Sequence, residues 1–569
     1  MKQYTLTGGV FELLKAEADT DDQQNKLIVI GLDGGCPELI EKWLSEGKLP
    51  NLKKLAEDGC RGVLKSTILP VTPVAWTSFS TGKNPGKHGV FDFMERKEGS
   101  YDLQPVLVGQ SCDSLWEILT QAEKRVIVIN VPMTYPPAKV KGIMISGLPA
   151  LDVRKDFAYP SDILDEIERE VGEYRIHYKV EFTGENHEDF LRDVHFLIER
   201  RSQVARYLAE NYSWDLLMVH FQATDWVQHF FWKYADPNHP DHNPFPSIAR
   251  HAIRDVYMHI DKELGKIVRA WHENVNVIVI SDHGFGPLYK VVYLNNYLDK
   301  MGLLHFKKGP RYLLHKLGMT SANFYKLLVK LGLGNAVPRF RHNKQRIINL
   351  FISFNDINWN RTKAYSFGHN GQIYINVRGR EPKGCVKQGA EYEELRERII
   401  RNLKALFDPD TGAPLFDSIH CKEELYSGVY LEKAPDIIAL LTRYNQEANY
   451  YSNELLGEAP NNLSGYHRLD GFYLLSGPMF VASAHTGKAN IIDMAPTILS
   501  LFGATLPADM DGQILEEFIS EEWKIQSGFH PSVDTVKGRI EEKRKREKPR
   551  FTEEEEELIK KRLRKLGYI

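Results

Sequence analysis

The chain has 569 residues, 42% hydrophobic, 11% aromatic and 26% charged, a composition that excludes a single small module and a disordered or fibrous polypeptide. Its 73 Lys and Arg nearly balance 76 Asp and Glu, so the net charge of −3 gives no overall pull toward nucleic acid or an anionic membrane. The five cysteines, Cys36, Cys60, Cys112, Cys385 and Cys421, are widely spaced and form no CxxC pair, which argues against a disulfide framework or a thiolate zinc site and for a reducing cytoplasm.

In chain order, residues 1–24 carry acids and amides where a secretory signal needs an apolar stretch, so a polar N-terminal segment on a soluble, cytoplasmic protein is expected. No later run approaches the roughly 20 apolar residues of a spanning helix. LIVIGLD (27–33), RVIVINV (125–131), WDLLMVHF (214–221) and NVIVISD (276–282) are short, rich in β-branched residues and apolar on both faces, the pattern of buried, mostly parallel strands. Helical spacing over 42–59 and 261–273 separates them, and the alternation predicts a doubly wound α/β sheet with helices on both faces. APDIIALL (434–441), GFYLLSGP (471–478) and IIDMAPTILSLFGATLP (491–507) read as two strands and a helix returning to that sheet. One catalytic domain over 25–515 is therefore expected, with insertions at 151–213 and 300–425, the second forming a cap that holds the strand-like GQIYINVRG (371–379). Residues 516–569 read as a charged linker and a terminal helix, with Thr552 and Glu555 as its capping box and an Ile559, Leu563, Leu566 stripe to dock.

In an open parallel sheet ligands collect beyond the carboxyl ends of the strands. Asp33 closes the first run there, Asp282 and His283 close the fourth, and Asp225 and His229 follow the third. The i, i+4 spacing of Asp225 and His229 puts carboxylate and imidazole on one helical face. Such pairs are usually solvated surface, but several arriving at the expected edge point to zinc, manganese or iron, with the oxygen-preferring Mg²⁺ and Ca²⁺ less suited. In LPVTPVAWTSFSTGKNPGKHG (69–89), Thr72 before Pro73 has the form of a helix N-cap, with Gly82 at the stop. Its hydroxyl either caps the helix only or serves as a nucleophile where a phosphate is also favoured.

Taken together, VIGLDGG (29–35), VTPVAWTSFSTG (71–82), TDWVQH (224–229), VISDHG (279–284) and GYHRLDG (465–471) resemble the alkaline phosphatase superfamily, in the branch of type I phosphodiesterases and nucleotide pyrophosphatases. The string from Thr72 to Phe93, with NVPMTYPP (130–137), looks like that branch's prokaryotic phosphohydrolase or phosphomutase subgroup. The resemblance implies an alkaline phosphatase-like fold and two divalent ions, usually zinc, about 4 Å apart. Asp225, His229 and His467 would hold one, and Asp33, Thr72, Asp282 and His283 the other. Thr72 would attack phosphorus in line and be transiently phosphorylated; His88 would only shape the loop. The resemblance departs at Ala75, where the branch generally has an asparagine for a phosphate oxygen, and the Val74 amide at the helix start or a cap residue is the expected substitute. A small-molecule phosphodiester or nucleotide pyrophosphate is favoured over a monoester, the rivals being a phosphomonoesterase, a phosphotransferase and a non-catalytic binder. Between Lys300 and Arg346 ten Lys and Arg, among them Lys307, Lys308, Arg311 and Lys316, occur among helically spaced apolar residues without an acid. This is either a cap helix packed on the core or a contact for polyanionic substrate or lipid headgroups.

Overall fold

The four apolar runs expected as buried strands all enter one nine-stranded sheet in the computed structural model of the protein, which describes residues 26–106, 112–151, 156–270, 275–318, 354–441, 443–446, 454–459, 462–482, 487–534 and 551–566. The strands that matter here are β1 (Leu27–Leu32), β2 (Gly59–Lys65), β3 (Val126–Ile129), β4 (Gly142–Ile145), β5 (Ala158–Tyr159), β6 (Leu216–Phe221), β7 (Asn276–Ile280), β8 (Gly284–Pro287), β9 (Ala364–Ser366), β10 (Gln372–Ile375), β11 (Ser418–Cys421), β12 (Ile437–Leu440), β13 (Gly465–Arg468), β14 (Asp470–Ser476) and β15 (Ala489–Asn490). The central order is β15-β2-β14-β7-β1-β6-β3-β4-β5. β1 runs parallel to both β6 and β7, β3 is parallel to β6 and β4, and β14 is antiparallel to β7 and β2.

Both faces of this sheet are covered, which is why its strands are apolar throughout. The helices, in chain order, are α1 (Pro37–Ser45), α2 (Pro50–Glu57), α3 (Thr72–Thr81), α4 (Leu115–Gln121), α5 (His187–Asn211), α6 (Ala223–Ala235), α7 (Ser247–Arg269), α8 (Ala390–Lys404), α9 (Met494–Leu501) and α10 (Glu553–Leu566). Ile28, Ile30 and Leu32 point into the core under α1, α2, α5, α6 and α7. Leu27 and Val29 point into the opposite core under α3, α4 and α9. α5, from the 151–213 stretch, lies on the same face as α7.

Three local expectations change. The helical spacing over 42–59 breaks into α1 and α2, because Gly47 takes a left-handed φ of 68° and Pro50 opens the second helix. The run at 434–441 does not return to the central sheet: β12 pairs with β10 and β11 in a separate sheet of order β9-β10-β12-β11. Apolarity on both faces reports burial but not which sheet buries the strand. Here the choice is tied down by Asp436, whose carboxylate takes the Arg380 guanidinium at 2.7 and 2.6 Å, Tyr392 at 2.9 Å and Lys422 at 3.1 Å. Third, Thr72 is the first helical residue of α3 and not its cap, the cap position being Val71.

Of the basic stretch, Lys326, Lys330, Arg339, Arg341, Lys344 and Arg346 lie outside the described residues. Arg311 pairs with Asp356 at 3.3 Å and Lys316 with Asp299 at 3.7 Å, while Leu313 and Leu317 face solvent. The N-terminal segment 1–24 and the charged linker over 539–550 also lie outside the described residues. The terminal helix forms with its capping box, and Ile559 and Leu563 enter the core of the same chain. No described helix is long and apolar enough to cross a membrane.

α5 and α7 are joined by a polar cluster: His195 Nδ1 meets His259 Nδ1 at 2.8 Å, and Glu263 takes Lys266 at 2.6 Å and His259 at 3.7 Å. Burial pushes the Glu263 carboxyl up, but His259 and Lys266 outweigh it and hold the group at about 2. A depressed carboxylate stabilises the fold fully above its unfolded value and loses that contribution as pH falls through the folded one. Glu263→Gln should therefore cost about 2 kcal/mol at pH 7, with the gap to wild type closing as pH falls from about 4.5 toward 2. Denaturation midpoints at stepped pH check this, and a gap independent of pH contradicts it.

Candidate active site

The parallel register of the three central strands brings together residues far apart in sequence. Gly31 of β1 lies opposite His220 of β6 and Ile280 of β7, so the chain segments that follow leave the sheet on one edge. Asp33 comes directly after β1, Asp282 and His283 after β7, and Asp225 and His229 from the first turns of α6. β13 delivers His467 by pairing it with Phe285 of β8. All six side chains, with Thr72, are buried.

Two local features make the approach possible. A Cβ on Gly31 would stand 2.7 Å from the Trp76 ring and 3.1 Å from His220, so only glycine lets α3 pack this close to β1. Gly34 has φ of 64°, turning the chain so that its amide reaches Asp282 Oδ1 at 3.0 Å. α6 is pinned to the same turn through Thr224 Oγ1, which donates to the Asp33 carbonyl at 2.5 Å, and Gln228 Nε2, which donates to the Gly34 carbonyl at 2.8 Å.

The acceptors then converge. Asp225 Oδ1 lies 3.2 Å from Nε2 of both His229 and His467, and the two Nε2 atoms are 3.2 Å apart. His283 Nε2 is 3.6 Å from Asp33 Oδ1 and 3.3 Å from Asp282 Oδ2, and its ring stacks on His467 at 3.8 Å. Each of these imidazoles has its Nδ1 on a backbone carbonyl: His229 on Gly465 at 2.9 Å, His467 on Pro70 at 2.9 Å, His283 on Gly284 at 3.0 Å. A carbonyl only accepts, so Nδ1 carries the proton and the neutral ring turns an Nε2 lone pair inward. Burial pushes the His467 imidazole down to about 4, and burial with the neighbouring His467 lowers His283, so both rings favour the neutral form.

Lone pairs and carboxylates facing one another at such distances in a dry space repel unless something positive lies between them. Asp33, Asp282 and His283 form one group able to grip a cation, and Asp225, His283 and His467 another. Burial, reinforced by Asp282 and Asp225, raises the Asp33 carboxyl, and burial likewise raises Asp282. Nitrogen mixed with oxygen suits zinc, manganese or iron.

The Thr72 hydroxyl sits at the lip of this cluster, 3.4 Å from Asp33 Oδ1 and 3.5 Å from His283 Nε2, and makes no capping bond to its own helix. The Val74 amide is already spent on the Val71 carbonyl at 3.0 Å, as is that of Ala75 at 3.0 Å. His88 accepts from the Val90 amide at Nδ1 (3.2 Å) and meets Ser78 Oγ at 2.9 Å through Nε2. One site residue escaped the sequence reading: His220 Nε2 lies 3.1 Å from Asp33 Oδ2, with its ring edge-on to Trp76 at 4.9 Å. A polar residue inside a run otherwise apolar on both faces was its only signal.

The family model described as type I phosphodiesterase / nucleotide pyrophosphatase matches residues 27–466. No curated protein matches the chain. Among solved structures it is similar to murine ectonucleotide pyrophosphatase / phosphodiesterase 5, at 14% identity and a TM-score of 0.46, covering 87% of this chain and 100% of that one. It is also similar to phosphonoacetate hydrolase from Sinorhizobium meliloti 1021 in complex with phosphonoformate, at 14% identity and a TM-score of 0.47, covering 84% and 95%.

The packed acceptors carry a thermal signature. After chelation, adding Zn²⁺ or Mn²⁺ should raise Tm by on the order of 5 °C, as a ligand that binds only the folded state does. Asp282→Asn should reduce that rise. Calorimetry checks both, and a Tm indifferent to metal contradicts the expectation.

Proposed function

Since the chain belongs to the type I phosphodiesterase / nucleotide pyrophosphatase family, metal-dependent hydrolases of phosphoester bonds, we propose that it cleaves phosphodiesters or nucleotide pyrophosphates through a covalent intermediate on Thr72. The observation that carries this reading is the Thr72 hydroxyl, wholly buried at the start of α3 and within 3.5 Å of both Asp33 and His283.

Asp225, His229 and His467 would hold one divalent cation and Asp33, Thr72, Asp282 and His283 a second. Bound there, the ions supply the positive charge that makes a threonine hydroxyl acidic enough to attack and that neutralises the departing oxygen. The rest falls to the chain. Asp33 and His283 orient Oγ1, which gives up its proton as its bond to phosphorus forms and the bond to the leaving oxygen breaks, that oxygen departing as the protonated alcohol; water then cleaves the threonine–phosphorus bond, releasing the remaining phosphate ester and regenerating the hydroxyl. His220 stands behind Asp33 on the sheet side, its Nε2 3.1 Å from Oδ2. With the Val74 and Ala75 amides engaged, the Thr72 amide is the helix-start donor left for a phosphoryl oxygen. The five cysteines, none in a disulfide among the described residues, support a cytoplasmic setting.

The same site can act on monoesters or pass the phosphoryl group to an alcohol, and the test separates these. With Zn²⁺ or Mn²⁺ restored, bis-p-nitrophenyl phosphate should be cleaved faster than p-nitrophenyl phosphate, and Thr72→Ala should lower kcat by about 10⁴-fold. Faster monoester cleavage favours a phosphatase, product esterified to an added alcohol favours a transferase, and full activity in Thr72→Ala overturns the proposal.

A further inference from the structure

From Lys300 to Gly318 the chain carries Lys300, Lys307, Lys308, Arg311 and Lys316 and not one acid. A cavity of about 550 Å³ opens in this part of the cap, lined by His305, Lys307, Lys308, Tyr312 and Arg361, with Asp299 as the one acid among its lining residues. That volume suits a small ligand, and neither Thr72 nor any of the six metal-facing side chains lines it. Its walls are fixed by backbone pairing. Phe306 bridges Ile357, the Lys307 amide donates to the Asp356 carbonyl at 2.7 Å, and the Asn358 amide donates to the His305 carbonyl at 2.7 Å.

The charge around the cavity is one-sided. Asp299 is answered by Lys316 at 3.7 Å, and Arg311 by Asp356 at 3.3 Å. Lys307 Nζ gives one proton to the Asn355 carbonyl at 2.8 Å and keeps two for another acceptor. Among the described residues neither Lys308 nor Arg361 has a carboxylate partner. Three cations with no acid of their own around one cavity call for an anion, and a guanidinium beside ammonium groups is the donor set that phosphate oxygens take.

The short helix Pro310–Lys316, which supplies Tyr312 to the cavity, says where that phosphate comes from. It turns Tyr312 toward the cap core, and His315 is buried with its ring 5.9 Å from that of Phe306. Leu313 and Leu317, one helical turn apart, are left 61% and 69% exposed. An ordinary cap helix buries its leucines and shows its lysines to water. Here leucines and cations leave the protein side by side, which suits a boundary where an anionic layer adjoins an apolar one. A soluble phosphate ester would answer the cations and leave both leucines in water. We propose that the cavity takes the phosphate headgroup of an acidic phospholipid while Leu313 and Leu317 enter the acyl boundary beside it, so that the cap is a peripheral membrane-binding surface. This surface is independent of the reaction at Thr72.

The test sediments the full chain with vesicles of phosphatidylcholine alone and with phosphatidic acid added. Binding should be about 100-fold tighter to the acidic vesicles, on the order of fivefold for each of the three cations, and should weaken as salt is raised. Lys308→Glu with Arg361→Glu should abolish that preference. Leu313→Ser with Leu317→Ser should weaken binding to acidic vesicles by about 10-fold. Both pairs of changes lie on the surface, so Tm and the rate on bis-p-nitrophenyl phosphate should match wild type, which separates lost docking from lost folding. No vesicle binding, equal binding to neutral and acidic vesicles, a preference that survives the charge reversal, or full binding after the leucine exchange each overturns the proposal. Calorimetric binding of inorganic phosphate that the charge reversal removes, without vesicle binding by wild type, also overturns it and leaves the cavity to a soluble phosphate ester.

Discussion

Three carboxylates and three imidazole lone pairs face one another in a space closed to water, and their mutual repulsion is the constraint around which the rest of the protein is arranged. Each group would be better solvated outside. Five of the six are fixed from behind: Nδ1 of His229, His467 and His283 by backbone carbonyls, Asp282 by the Gly34 amide, Asp33 by the turn that Thr224 and Gln228 clasp. Those five cannot swing away to relieve the crowding, which leaves proton uptake, favoured on the raised Asp33 and Asp282 carboxyls, or a cation as the means of relief. A set of acceptors held this rigidly presents its ligands without reorganisation when an ion arrives.

That rigidity comes from the sheet. β1 lies between two parallel neighbours and under two cores, so its carboxyl end cannot shift without unpacking both. The close contact of Gly31 with Trp76 locks α3, and with it Thr72, to the same strand. The second sheet closes over the first turn of α3 through Ile438 and meets the metal-facing strand through His369 and Tyr466.

The sequence made the central sheet legible because doubly covered strands have an unmistakable composition, and it made Asp33, Asp225, His229, Asp282 and His283 legible because the carboxyl edge of such a sheet is where ligands gather. His467 had no such signal: it sits in a short antiparallel pairing with Phe285, and only the order of motifs in the family resemblance singled it out. His220 was hidden inside a strand whose apolar neighbours dominated the reading. The run containing Ile437–Leu440 was recognised as a buried strand but given to the wrong sheet, since its destination depends on Asp436 meeting Arg380 and Lys422 from elsewhere in the chain.

The wide sequence separation of the acceptors has a consequence for how the protein is made. Asp33 emerges early and His467 late, 467 − 33 = 434 residues apart, and at ribosomal rates of about 5–20 residues per second that interval lasts roughly 20–90 s. β14, which flanks β7 in the finished sheet, also arrives only at the end. Through all that time the nascent chain holds an incomplete set of ligands and an open sheet edge beside β7. The full set of acceptors, and with it the neighbour that closes that edge, therefore exists only once nearly the whole chain has been made.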